Sequence, residues 1–440
     1  MTSKVEAEIG WIKTTLFAEI LKNENFKVDN ELHNCANEII KFHNVEVKCI
    51  GPEEAFMLTS CYRAVITFEL NDSGPKTAKL IVKRTPNLPQ ATFDGIQFGP
   101  LFSNEILCYS TIMPALEKFA GRIINIPRFY YGDLGKNYAT VVLQDFAVDN
   151  WRIATQKVNL SLGHALVAIK NLGAFHGLGF ALRHENRAEF DRITKGLKES
   201  RYDIKEKVPT IEILIGAGME RVVIASKKYQ PHIDVEFLQR FQQVAKNYVL
   251  FGRQMVKPVE PFVTLCHGDY LRNNIAFRYT EDNDEPNDSL MFDLQTMRLC
   301  SPMLDFATFL SLSCYTATRY EHFDQIFEEY YSQLTTTFKE NTKVVEFPDY
   351  LSRESFLSEY RRYLFFGLST AAYFLFQLAE PDQVSSEEFL TSEDDPEELR
   401  QDILTRGGEV VDRELSHQMK ELFDFAQKYS LDIFKEFDYV

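Results

Sequence analysis

Three oxygen-bearing side chains in this sequence stand at spacings that could build one site: Asp269, Asn274 and Asp293. They lie in the runs VTLCHGDYLRNNIAFRY and LMFDLQTMRLCSPMLDFATFLSL, on either side of an acidic tract. A carboxylate beside an acceptor hydroxyl, with two further hard oxygen ligands, suits phosphoryl transfer from a nucleotide, because cations such as Mg²⁺ take oxygen donors.

The elements around them must be short. Val263 to Leu265 reads as a strand running into His267-Gly268-Asp269, and Ile275 to Tyr279 as a second strand. The polar tract Thr280 to Ser289 predicts a hairpin connection, and Leu290 to Leu294 a returning strand with Asp293 near its end. Asp269, Asn274 and Asp293 would then converge from strand ends. A lone HGD turn and a strand-end aspartate would carry no such meaning; the weight lies in several polar residues held in one strand-loop-hairpin.

Composition narrows the class. The 440 residues include 64 acidic and 48 basic side chains, for a formal net charge of −16. That balance argues against nucleic acid or an anionic membrane surface as the main partner. Seven dispersed cysteines, without a metal-type or C-x-x-C spacing, fit reduced thiols in a cytosolic compartment. The N-terminus MTSKVEAEIGWIKTTL lacks the basic-then-apolar layout of a signal peptide. No stretch reads as a membrane span, so a cytoplasmic protein is expected. No protein partner can be inferred.

Along the chain, residues 1–45 read as helical, with Val5, Ile9, Ile12, Leu16 and Ile20 on one face. Strands follow over Val45 to Leu70, Thr77 to Lys83 and Pro127 to Val142. Phe102-Ser103-Asn104-Glu105 opens a helix with Glu105 one turn in, where a glutamate could simply complement the helix dipole. Asn159 to Phe180 is the strongest helical pattern, and His176 on its apolar face reads as a packed core residue. Residues 181–260 are helical and polar, without a motif. Aromatic-rich helices follow Leu312, and their stripes read as core before they read as a ligand cage.

The pattern H-G-D-x-x-x-x-N, then a hydrophobic-Asp-x-Gln strand, resembles the core of the aminoglycoside phosphotransferase and choline kinase superfamily. With Asp293-Leu294-Gln295, Arg298, Ser301-Pro302 and Asp305, it looks most like the ecdysteroid kinase-like (CHK-kinase-like) branch. The resemblance implies an α+β, protein kinase-like two-lobe fold: a small β-sheet lobe over residues 1–147 and a larger, mostly helical lobe over residues 148–440. It implies ATP and Mg²⁺, with Asp269 as base or orienting carboxylate, Asn274 and Asp293 as metal ligands, and Asp305 as a buried brace. Lys83 would contact the nucleotide phosphates and pair with Glu105, and Tyr109 fits the same helix motif. Ser60 and Gln144 would stand at the phosphate loop and the lobe hinge. Two departures stand out: no glycine lies between Gly51 and Gly74, and Gln144 replaces the acidic residue usual at the hinge. The implied acceptor is a hydroxylated, lipophilic small molecule of ecdysteroid type. A choline-type kinase and a catalytically silent binding protein on this fold are the alternatives.

Overall fold

The computed structural model describes residues 2–22, 39–51, 58–70, 73–86, 88–203, 208–280, 285–381 and 395–437. The glycine-free loop at 52–57 lies outside the described residues.

A five-stranded antiparallel sheet forms the N-terminal part: β1 (Ile39–Ile50), β2 (Ser60–Leu70), β3 (Ser73–Arg84), β4 (Phe129–Leu134) and β5 (Ala139–Gln144), in the order β1-β2-β3-β5-β4. Period-two alternation decides its faces. In β2, Tyr62, Ala64, Ile66 and Phe68 are buried. They pack with Leu80, Val82 and Val142 beneath Ile12, Leu16 and Ile20 of the N-terminal helix. The helical stripe read from sequence is therefore this face's cover. Residues 39–45 belong to β1 and not to a helix, because pairing with β2 through Val45↔Ile66 and Val47↔Ala64 overrides local propensity.

The opposite face carries Val141, Leu143 and, one residue past Val82, Lys83. It packs on the helix Phe98–Leu107, whose Phe98 and Phe102 are fully buried with Val141 and Leu143 in the main core. That helix begins at Phe98, so Glu105 sits near its end and the first-turn dipole account does not apply. A short 3-10 turn, Phe146–Asp149, follows the sheet; Asp145 caps it by accepting from Ala147 N at 3.1 Å.

Beyond it the chain is mostly helical. The helix Leu162–Glu185 is capped by Ser161 and runs through the core. By length and apolarity it could cross a membrane, contrary to the sequence expectation; its apolar window is 72% buried by protein, which accounts for that character. It packs on Phe323–Glu340 at very short range. A Cβ at Gly173 would stand 2.4 Å from Tyr330 O, and one at Gly177 would stand 2.5 Å from Leu334 O. Spacing two glycines by four residues clears one face of the helix, so the two backbones can touch.

Two small sheets complete the frame. β7 (Thr264–Cys266) pairs with β10 (Arg298–Cys300). β6 (Arg152–Ile153), β8 (Ile275–Tyr279) and β9 (Pro286–Met291) form a three-stranded sheet. The strand before Asp293 ends at Met291 and not at Leu294, which leaves Asp293 in the following loop. The helix Met303–Ser313 is wholly buried and packs against Arg353–Ala379.

Gly177→Ala should cost about 1–3 kcal/mol, because its methyl overpacks backbone on a neighbouring helix. Gly216, exposed on the helix Pro209–Tyr229 with nothing within 4 Å of its would-be Cβ, is the control. Gly216→Ala should gain about 0.5–1 kcal/mol. Urea unfolding of both variants checks the pair; equal effects would refute the close-packing account.

Candidate active site

Lys83 is buried, and its ammonium is held by oxygens from two other elements. Nζ donates to Glu105 Oε2 at 2.9 Å, to Asp293 Oδ1 at 2.6 Å and to Gln295 Oε1 at 3.1 Å. Strand alternation aims Lys83 at the helix carrying Glu105, and the loop after β9 brings Asp293 and Gln295. Burial pulls the lysine down, but the carboxylates of Asp293 and Glu105 outweigh it and hold it above the ordinary lysine range. Burial pushes Glu105 up to about 7, against the opposing pull of Lys83. We read a charged lysine shared between two carboxylates, since an uncompensated buried ion is far costlier. Glu105 Oε1 beside this cluster is buried without a hydrogen-bond partner among the described residues.

The loop holding Asp269 hangs from Asp305. Oδ2 accepts from His267 N at 2.6 Å and Oδ1 from Gly268 N at 2.8 Å. His176, fully buried, lies with Nε2 3.1 Å from the same Oδ2 and Nδ1 2.8 Å from the Tyr330 hydroxyl. Burial lowers its pKa. The sequence reading of His176 as a core residue and of Asp305 as a brace is what the contacts show. Gly268 has φ +83°, and a Cβ there would meet Thr296 O at 2.1 Å, so the HGD turn requires glycine twice over.

Asn274 Nδ2 donates to Asp269 O at 2.9 Å and to Asp269 Oδ2 at 3.2 Å. Its backbone carbonyl accepts from Phe292 N at 3.0 Å, and Phe292 O lies 2.9 Å from His267 Nε2. These bonds draw Asp269, Asn274 and the Asp293 loop together. Asp293 adopts φ 63° and ψ 61°, the left-handed region that aspartate and asparagine visit more readily than other side chains. From that turn its carboxylate bonds Lys83 Nζ.

Arg201 is the site residue that sequence reasoning missed. Its Nη2 donates to Asp269 Oδ1 at 3.0 Å. Burial pulls Arg201 down, and the Asp269 carboxylate overcomes that and raises it. Its segment is tied on both sides. Asn104, next to Glu105, exchanges bonds with Lys198 O (2.8 Å) and Lys198 N (2.9 Å). Glu199 accepts from Arg201 N at 2.8 Å and from Arg298 Nη1 at 2.8 Å. No local spacing announces this residue, because its partner Asp269 lies 68 positions away.

Beside these groups opens a cavity of about 370 Å³, largely apolar, lined by Ile96, Leu101, Ile215, Tyr248 and Phe374 among others. It reaches both halves of the polar cluster: Arg201, which bonds Asp269, and Gln295, which bonds Lys83, are in its wall.

Two expected residues stand apart. Gln144 turns its side chain to Asp149 Oδ2 at 3.1 Å, and its backbone N–H is taken by Arg128 O at 2.8 Å. Ser60 opens β2 opposite Arg84, one pair beyond Cys61↔Lys83. Neither makes a hydrogen bond to the Lys83–Asp293 cluster among the described residues. The groups that converge carry oxygen donors of the kind Mg²⁺ takes: the Asp293 carboxylate and the amide oxygen of Asn274, whose Nδ2 is spent on Asp269.

Asp305→Ala should cost about 1–3 kcal/mol for each of the two backbone amides it orphans. Asp305→Asn, which keeps one side-chain acceptor, should cost less. Denaturant melts test the order; a fully stable Ala variant would show that the loop does not hang from Asp305.

None of the curated proteins compared matches this sequence. Among solved structures, the chain is similar to a Plasmodium vivax ethanolamine kinase, at 11% identity and TM-score 0.41, covering 89% of this chain and 84% of that one. It is similar as well to a GDP complex of aminoglycoside 2'-phosphotransferase-IIIa, at 13% identity and TM-score 0.33, covering 83% and 93%. A Streptomyces rimosus aminoglycoside phosphotransferase, solved with ADP and streptomycin, matches at 13% identity and TM-score 0.27, covering 63% and 87%. The model of the ecdysteroid kinase-like family matches residues 53–342, a span that contains Lys83, Glu105, Asp269, Asn274 and Asp293. On that match, with a sheet lobe and a helical lobe joined through the Lys83 cluster, the chain has the protein kinase-like fold and belongs to the ecdysteroid kinase-like family.

Proposed function

We propose that this protein transfers the terminal phosphoryl group of ATP to a hydroxyl of an uncharged, lipophilic small molecule. One observation carries the reading: the largely apolar cavity shares a wall with both the Lys83 cluster and the Asp269 pair. An acceptor in that cavity would present a hydroxyl where a carboxylate and a buried cation already stand.

The roles follow from the groups. Asp269 orients the acceptor hydroxyl and takes its proton as the oxygen attacks the terminal phosphorus and ADP leaves. Asn274 keeps that carboxylate in place through Nδ2. Lys83 holds phosphate oxygens and is itself aimed by Glu105. Asn274 and Asp293 would hold Mg²⁺, which, when bound, neutralises charge on the phosphates. Most of the rate gain in this chemistry comes from positioning and electrostatics, so rigid placement is what the chain must supply.

The cavity's charge speaks to the acceptor. Its wall includes Lys246 and Glu212, while Arg201 is paired with Asp269 and Arg253 with Asp203. Charges balanced in this way suit an uncharged acceptor, whereas a quaternary ammonium seeks aromatic faces with a carboxylate of its own. A catalytically silent binding protein draws its support from Lys83, already held by three oxygens, and from a phosphate loop without glycine.

Asp269→Asn should leave folding and ATP binding near normal and lower turnover about 10²–10⁴-fold. Near-parental turnover would remove Asp269 from this role. In a second test, ecdysone, a simple phenol and choline compete at equal concentration, with products read by mass spectrometry. The phosphorylated steroid or phenol should dominate; phosphocholine alone would favour the choline reading.

A further inference from the structure

The same cavity holds two buried polar groups that no described residue satisfies. Gln377 is 3% exposed and Ser200 is 4% exposed; both line the cavity. Among the described residues, Gln377 Oε1 and Ser200 Oγ have no hydrogen-bond partner. Buried polar atoms are nearly always paired, so an orphan in a cavity wall marks a position that a ligand atom can complete.

Their placement is specific. Ser200 adjoins Arg201, the residue on Asp269. Gln377 lies one turn beyond Tyr373 on the helix Arg353–Ala379, so both fall on the face that lines the cavity. Tyr373 is engaged by a hydrogen bond with Tyr202, and the Arg201 guanidinium stacks 5.6 Å from the Phe374 ring. Tyr373 and Arg201 are thus committed, while among the described residues Ser200 Oγ and Gln377 Oε1 are not. Gln377 Oε1 can accept a hydroxyl proton, and Ser200 Oγ can accept or donate.

We infer that Ser200 and Gln377 are acceptor-reading residues, which hydrogen-bond hydroxyls other than the one phosphorylated and so select an apolar skeleton bearing several hydroxyls. This rests on the cavity being the acceptor site, as proposed above. A pocket that hydrogen-bonds a substrate hydroxyl rejects the analogue lacking it, because its own polar group is then left buried and unpaired.

The test is direct binding to the full chain, without ATP, of ecdysterone and of relatives each missing one hydroxyl: ecdysone, ponasterone A and the ring-deoxy analogue of ecdysterone. Parent protein should bind at least one deleted relative about tenfold more weakly than its hydroxylated counterpart. Gln377→Leu or Ser200→Ala should flatten that preference to within twofold, while ATP affinity stays at the parental value. A merely structural role would lower stability in the variants and leave the preference intact; that result overturns the assignment. So does a parent that binds all members alike or binds none. If the preference appears and responds to the variants but no phosphorylated product forms, the reading residues stand and the kinase reaction falls.

Discussion

A buried lysine ammonium cannot stand without anions, and Lys83 draws its anions from two places far apart in sequence. Glu105 comes from a helix on the sheet, and Asp293 from a loop of the helical part. That one cation therefore ties the sheet, the Phe98–Leu107 helix and the loop at Asp293 to one point. Removing either carboxylate would leave the lysine undercompensated; removing the lysine would leave two carboxylates facing each other in a dry cleft. The site is assembled by electrostatic necessity before any ligand arrives.

A second charged pair and a buried anion complete the arrangement. Arg201 sits on Asp269, and its backbone segment is bonded to Asn104 next to Glu105. The same helix that aims Lys83 thereby holds the strut that reaches Asp269. Beneath them, Asp305 spends both oxygens on backbone N–H groups of the HGD turn and leans on a His176 that burial keeps short of protons. Positioning in this protein is thus layered: a fully buried anion shapes the loop, and ion pairs above it hold Asp269 and Asp293. The cavity that meets them is different in kind, apolar with a few polar groups, as small-molecule sites generally are.

What could be read in the sequence was whatever is written in short-range spacing. The HGD-to-Asn interval, the lysine at the end of an alternating strand, the Ile12–Leu16–Ile20 stripe and the braced aspartate before a buried helix are local patterns, and each corresponds to an element in the structure. The expectations that failed depended on distant context. Residues 39–45 follow their partner strand and not their own propensity. Glu105 lies late in its helix because that helix starts before the polar residues that looked like its beginning. The helix at Leu162–Glu185 is apolar around because protein surrounds it. Arg201, Ser200 and Gln377 could not be found by spacing, since what unites them is a cavity wall on which Ser200 and Gln377 stand 177 residues apart in sequence.

The claim on which everything else depends is that the Lys83–Glu105–Asp293 cluster is a nucleotide site. Calorimetric titration of ATP into the full chain, with and without Mg²⁺, and into Lys83→Met under the same conditions, tests it most directly. The account predicts saturable binding that needs Mg²⁺ and is lost in the variant while the variant remains folded. Binding that ignores both Mg²⁺ and Lys83, or no binding of ATP at all by the folded parent, would contradict it.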